Sequence, residues 1–179
     1  GWTGELLARR GVDGAPFDVE LAASMVVDAA GQPVCMLASF RDITERKRAE
    51  EALRHKQAML ERTEGATHVG SWEWDVASDT VTWSDELFRI FQRDPREGAP
   101  SFAEHPAFYH PDDMARLRQA AQAAVTEGTP YELELRAIRK DGQIRVCVAR
   151  GVAEMAPGGR AVRLFGSLQD ITERKRAEA

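Results

Sequence analysis

The chain has 179 residues, 43% apolar and 30% charged, with a net charge of −5 from 24 basic and 29 acidic side chains. This is the balance of an ordinary globular protein and excludes disordered, collagen-like and disulfide-stapled chains. The acidic surplus argues against nucleic acid as a partner, and no apolar run reaches the roughly 18 residues of a membrane helix.

The first forty residues read as strands and tight turns. Residues 5–9, 17–27 and 34–40 are strand-like, separated by turns at Asp13-Gly14 and Gly31-Gln32, where glycine supplies the positive φ of a hairpin turn. Val34, Met36, Ala38 and Phe40 share one face of the third strand. Left bare, that face is expected to meet a partner chain or some other cover. Asp42-Ile43-Thr44-Glu45 then turns strand into helix, with Thr44 suited to an N-cap and Glu45 to the positive end of the dipole. Residues 44–64 lack Gly and Pro and are rich in Ala, Glu, Arg, Lys and Leu. About 20 such residues make a rod of about 30 Å. Leu53 and Leu60, like Ala52 and Met59, stand seven apart and form a narrow apolar seam, with Glu50 and Arg54 spaced for an i,i+4 pair. A parallel homodimeric coiled coil is the expectation, a solvated single-helix spacer the alternative.

Further on, residues 70–76 and 80–83 flank Ala77-Ser78-Asp79 as a hairpin, and Ser84 is placed to cap a short helix over residues 85–91. Residues 95–100 read as loop. Pro111, followed by Asp112 and Asp113, opens the longest helix of this part, ending near Thr126 before Gly128. Tyr131, Leu133, Leu135 and Ala137 alternate with Glu132, Glu134 and Arg136 as a half-buried strand. A turn at Lys140-Asp141-Gly142, a strand over 144–149, a turn at Pro157-Gly158-Gly159 and a strand over 161–169 complete a meander.

The chain repeats itself. Residues 41–50 return as residues 169–178 with nine of ten identical, 128 positions on, and the same offset carries Asp13-Gly14 onto Asp141-Gly142. A period this long is a domain plus linker. One unit is complete and the other has only its C-terminal strands. That pattern, with an opening at Gly1-Trp2, is expected of a piece of a longer protein. The fold class is α+β, with helices on one face of an antiparallel sheet.

Gly70-Ser71-Trp72-Glu73-Trp74-Asp75, Trp83-Ser84, His110-Pro111-Asp112-Asp113, Lys140-Asp141-Gly142 and Asp170-Ile171-Thr172-Glu173-Arg174 together resemble the PAS sensor domains with their C-terminal PAC motif. The resemblance covers residues 66–173 in full and residues 2–45 as the last three strands. It implies a five-stranded antiparallel sheet cupping a small cavity, in a sensory part of a bacterial histidine kinase or cyclic-dinucleotide signalling protein. The organisation it implies is residues 1–43 as the end of one unit, 44–64 as a signalling helix, 65–172 as a complete domain and 173–179 as the next helix. It makes the joints, through Asp42, Thr44, Asp170 and Thr172, the mechanical output. Asp170 is their expected anchor, with Arg145 or Arg150 as its partner.

Trp72, Trp83, Phe88, Phe91, Phe108, Leu117, Leu133, Leu135, Leu164, Gly166 and Leu168 are the expected cavity lining, almost wholly apolar. Such a lining fits an apolar small molecule or its own side chains, and supplies no partner for a charged metabolite. No catalytic or metal-ligating constellation is apparent; no two histidines share a helical i,i+4 face. His110 reads as a helix-entry residue, with haem through His105 or His110 left open. The flavin branch of the family reads its ring with a Gln where this chain has Leu168, and uses a Cys motif absent here. Noncovalent FAD stacked on Trp72, Trp74 or Trp83 stays open. Cys35 and Cys147 have no CxxC or Cys/His pattern and are expected to be reduced and buried, in a cytoplasmic setting. The function this implies is a non-catalytic sensory and dimerisation module, with a cofactor sensor and a ligand-free interaction module as alternatives.

Overall fold

Three antiparallel strands, β1 (Trp2–Arg9), β2 (Pro16–Val27) and β3 (Pro33–Asp42), form the first sheet in the order β1-β2-β3. The structure, a computed structural model, describes residues 1–178, in two units, Gly1–Ala58 and Met59–Ala179. In the first unit the register sets Leu6 opposite Val19, Leu21 opposite Phe40, and Met25 opposite Met36. Directly opposed residues of an antiparallel pair lie on one face, so this face is apolar from edge to edge. It is open: Met36 is 69% and Phe40 72% exposed. Cys35, expected to be buried, is exposed as well, because both faces of β3 are uncovered along its length. Helix α1 (Thr44–Thr67) begins at the joint and runs three residues past the expected end. None of its residues is buried. Glu50 pairs backwards with Arg46 at 3.3 Å instead of forwards with Arg54.

The second unit contains β4 (Val69–Asp75), β5 (Thr80–Trp83), α2 (Asp85–Phe91), α3 (Pro111–Glu127), β6 (Tyr131–Ile138), β7 (Ile144–Met155), β8 (Ala161–Asp170) and α4 (Thr172–Glu178). Its five-stranded sheet runs β5-β4-β8-β7-β6, every pair antiparallel. The opening hairpin is thereby joined to the last strand of the meander. Of two short 3₁₀ segments, Pro95–Glu97 lies within the expected loop and Phe102–Ala107 follows it. The second starts at a capping box in which Ser101 and Glu104 satisfy each other's ends. Leu87, Phe91, Leu117, Leu135, Cys147 and Leu168 are buried between helices and sheet. Each large apolar side chain there contributes about 1.5–3 kcal/mol through removal from water.

Two contacts set the helices on the sheet. Ser84 does not cap α2 with its side chain; its hydroxyl instead accepts the Ser71 N–H of β4 at 3.0 Å. Beside it, a Cβ on Gly70 would lie 2.7 Å from the backbone nitrogen of Leu87, so glycine lets α2 rest directly on β4. At the start of α3, the His110 ring accepts the Asp112 N–H at 3.4 Å and Pro111 takes the first turn. Asp113 does more than complement the helix dipole. Its carboxylate accepts the backbone N–H of Arg136 at 2.9 Å, its Nε at 2.7 Å and an η nitrogen at 3.2 Å, tying α3 to β6. The guanidinium bonds, aided by the backbone N–H, outweigh burial and hold this carboxyl below its ordinary range.

A row of opposed residues crosses the cavity side of the sheet: Trp83 on β5, Trp72 on β4, Gly166 on β8, Gly151 on β7 and Tyr131 on β6. The two glycines make a trough into which the flanking rings lean. A Cβ on Gly166 would lie 1.8 Å from the Arg150 carbonyl oxygen and 2.8 Å from the Trp72 ring. One on Gly151 would lie 2.4–2.6 Å from the Tyr131 ring and hydroxyl. The trough is filled by aromatic carbon instead of by side chains of its own.

Asp113→Ala is expected to lower stability by about 1–3 kcal/mol, because it strands the Arg136 N–H. A carboxyl held below its unfolded pKa adds stability above that pKa, which is lost as pH falls through the folded value. Urea midpoints of wild type and variant should therefore differ most at neutral pH, and the gap should narrow as the pH is lowered through the carboxylate range. Gly166→Ala should cost at least about 3 kcal/mol, since the obstacle is backbone, and the same denaturation series checks it.

Candidate functional site

The strand–helix joint is built twice with the same bonds. In the second unit Ile171 N–H donates to the Val146 carbonyl at 2.8 Å, and the Val146 N–H returns to the Thr172 hydroxyl oxygen at 2.9 Å. Asp170 then accepts the Thr172 N–H at 2.9 Å and its hydroxyl proton. In the first unit Ile43 donates to Asp18 at 2.9 Å, Asp18 N–H donates to the Thr44 hydroxyl at 3.0 Å, and Thr44 N–H donates to Asp42 at 3.0 Å. Thr44 and Thr172 are therefore not the N-caps expected of them. Their hydroxyls bond the neighbouring strand, and the carbonyls of Ile43 and Ile171 accept the first helical bonds, from Lys47 and Lys175. Both isoleucines are buried. The Thr44 hydroxyl and N–H, with Arg10 nearby, hold the Asp42 carboxyl below its ordinary range.

A second tie repeats too. Lys47 reaches Glu5 at 3.0 Å and Lys175 reaches Glu134 at 2.9 Å, fastening each outgoing helix to the first strand of its meander. Glu134 stands 129 positions after Glu5, not 128, which corrects the expected alignment in this strand. The turn joining β1 to β2 has one residue more than its counterpart between β6 and β7, so Trp2 answers to Tyr131 and Leu6 to Leu135. At the unbroken offset the apolar face would carry Glu5 and Arg9, since a one-residue slip turns every side chain to the other face. Of the two partners expected for Asp170, Arg145 lies 3.9 Å away. Arg150 is occupied by Glu132 at 2.7 Å. The Asp170 N–H donates to the His68 carbonyl at 3.0 Å, which brings the entry of the domain to its exit.

Between helices and sheet lies a cavity of about 40 Å³. Of the expected lining, Trp72, Trp83, Phe91, Leu117, Leu164 and Leu168 border it. Phe88, Phe108, Leu133 and Leu135 pack in the surrounding core instead, and Gly166 lies beneath the Trp72 ring. Trp74 also lines the cavity, stacked on Phe102 with centroids 4.7 Å apart. The polar members are His105, Tyr109 and Tyr131, and they qualify the expectation of an almost wholly apolar lining. Sequence alone offered little to find them: Tyr131 takes part in the strand alternation, while Tyr109 and His105 belong to a segment without periodicity.

Their states follow from their surroundings. The Nδ1 of His105 lies 2.8 Å from the Ser101 carbonyl oxygen; a carbonyl only accepts, so Nδ1 carries the proton and Nε2 is a free acceptor in the neutral ring. Burial, opposed by the Ser101 carbonyl, pushes the His105 pKa down. Burial pushes both tyrosines up, so their hydroxyls stay protonated. Haem and flavin do not fit a cavity of about 40 Å³, far below the ~300 Å³ or more of a drug-sized ligand site. Cys147 is not among the lining residues, and burial raises its thiol pKa. His110 is engaged at the start of α3. Among the described residues no group of three His, Cys, Asp or Glu side chains is placed to hold a metal ion, and no helix is long and apolar enough to cross a membrane.

Residues 80–168 match the PAS fold family. The chain is 27% identical over 155 residues to Probable diguanylate cyclase DgcE of Escherichia coli, covering 87% of this chain and 14% of that protein. It is 27% identical over 177 residues to a blue-light-activated histidine kinase of Brucella anthropi, covering 93% of this chain and 35% of that one. The chain thus spans about a third or less of these relatives. A sensory box histidine kinase/response regulator structure from Burkholderia thailandensis superposes with a TM-score of 0.56 at 27% identity, over 66% of this chain and 88% of that one. The sheet order, the helices on one face and the aromatic cavity agree with that likeness. The cavity-bearing unit of this chain belongs to the PAS family of sensor domains.

Proposed function

We propose that the chain is a non-catalytic sensory and dimerisation module of a bacterial signalling protein with a kinase or cyclase output. It passes the state of the 65–172 domain through its joint into the outgoing helix. The observation that carries this reading is the joint itself, built twice in one chain with the same hydrogen bonds and the same Lys–Glu tie. Starting a helix needs only one cap. Both joints instead spend Asp, Thr and Lys on fixing the helix to neighbouring strands, so a shift of β7 or β8 must move the helix or break bonds. The kinase and cyclase named among the relatives supply the class of output. Blue-light activation is not carried over, because Leu168 stands at the ring-reading position and Cys147 lies outside the cavity lining.

The first unit is read as the closing strands of a preceding domain of the same kind, and the exposed seam of α1 as the homodimer contact. Leu53 and Leu60 are each about three-fifths exposed on a helix with no buried residue. An isolated helix of this kind is marginal in water, and a parallel partner stabilises it. Two unpaired cysteines accord with a cytoplasmic location.

Asp170→Ala should leave the unfolding free energy measured in urea within about 1 kcal/mol of wild type while abolishing slow amide exchange in α4; unchanged exchange there would refute the relay. Leu53→Asp with Leu60→Asp should convert dimer to monomer in light scattering, and an unaltered molar mass would move the dimer contact elsewhere.

A further inference from the structure

The cavity's contents can be specified beyond a sensory role. Its lining includes no charged side chain, so a ligand there is neutral, because an unpaired buried charge is too costly. At about 40 Å³ the cavity is well short of the roughly 150 Å³ that admits benzene. A ligand of any size must therefore take the place of a side chain.

One ring is placed to leave. Tyr131 is the first residue of β6, and β6 is an edge strand of the sheet. Its ring lies on Gly151, whose missing side chain leaves a flat floor. Its hydroxyl finds no hydrogen-bond partner among the described residues, although the ring is largely buried. No hydrogen bond therefore anchors the ring in its place. Trp72, on the other side of the trough, is held by pairing on both edges of β4. What replaces Tyr131 is therefore about the size of its ring or slightly larger. His105, one of the lining residues, carries an unused acceptor. His105 is fixed as the Nδ1–H tautomer by the Ser101 carbonyl, and its Nε2 has no protein partner among the described residues. Trp83, Phe102 and Tyr109 surround that imidazole at centroid distances of 5.4–6.2 Å, walls suited to a flat guest.

We propose that the trough over Gly166 and Gly151 binds a small neutral planar molecule of one or two fused rings bearing one N–H or O–H, which displaces the Tyr131 ring and donates its proton to Nε2 of His105. This deepens the sensory reading and rests on it: the displaced ring sits on β6, which pairs with β7, the strand that the joint clasps through Val146.

The test is calorimetric titration of the 179-residue chain with indole and with indene, its isostere lacking the N–H, alongside ¹⁵N spectra of the histidine rings. Indole should bind at least about tenfold tighter than indene and shift the His105 Nε2 resonance. His105→Phe should remove the preference for indole while leaving indene unaffected. Tyr131→Ala, or Tyr131→Leu if the former fails to fold, should tighten both. Equal affinity for the two probes, an unmoved Nε2 resonance, weaker binding in the Tyr131 variants, or no binding to wild type would each overturn the proposal. So would uptake of FAD, seen as visible absorption, since a three-ring cofactor breaks the size argument. None of these results bears on α4 exchange in Asp170→Ala, so failure here is distinguishable from failure of the relay.

Discussion

At the end of each meander, the residue before the helix bonds sideways. Ile43 and Ile171 give their amide protons to the middle strand, and that strand's own amide returns to the hydroxyl of the following threonine. This exchange satisfies backbone groups that would be orphaned where a sheet ladder ends and a helix has not begun. It also fixes the direction in which the helix leaves, because the aspartate two residues earlier holds the threonine amide. Everything that makes the chain readable as a relay depends on this clasp: the buried isoleucine beneath it, the Lys–Glu tie beside it, and the entry of the domain at His68 bonded to Asp170.

The second constraint is the pair of glycines in the centre of the five-stranded sheet. Glycine in a strand interior costs stability and usually marks a close approach. Here the approach is by the rings of Trp72 and Tyr131, which cover the floor that side chains would otherwise occupy. The result is a cavity that is small, aromatic and uncharged, with His105, Tyr109 and Tyr131 among the side chains that line it. The same glycines prevent the sheet from filling itself. A side chain at Gly166 would collide with the backbone of Arg150, so the space above can be occupied only by rings reaching across from neighbouring strands or by a guest.

The internal repeat shows how sequence identity and structural equivalence part company. From the hairpin turn onward the two copies follow a single offset, but in the first strand they differ by one residue. The extra residue is absorbed in the turn, where it costs little, and the strand keeps its apolar face and its glutamate opposite the lysine. Counting along the sequence would have turned Glu5 and Arg9 inward. Only the pairing register reveals that Leu6 and Ala8 face the way Leu135 and Ala137 do.

The α+β class, the strand and helix boundaries to within a few residues in most elements, the duplicated joint and the apolar seam of α1 were legible from periodicity, turn residues and self-comparison, because these are local properties of the chain. Six of the fifteen residues lining the cavity were legible too, since Trp72, Trp83, Phe91, Leu117, Leu164 and Leu168 stand at periodic positions. Partner choice among polar groups was not. Ser84 and both threonines have capping chemistry, but their hydroxyls bond strands that are distant in sequence. Asp113 looks like a dipole residue until Arg136 is brought beside it. His105 and Tyr109 reach the cavity from a 3₁₀ segment and the residues just after it, where no period signals burial. Sequence determined which elements form and which faces are apolar, because those follow from neighbours along the chain. The tertiary structure decided which polar groups are spent and which, like Nε2 of His105, are left over, because that depends on what else arrives within 3 Å.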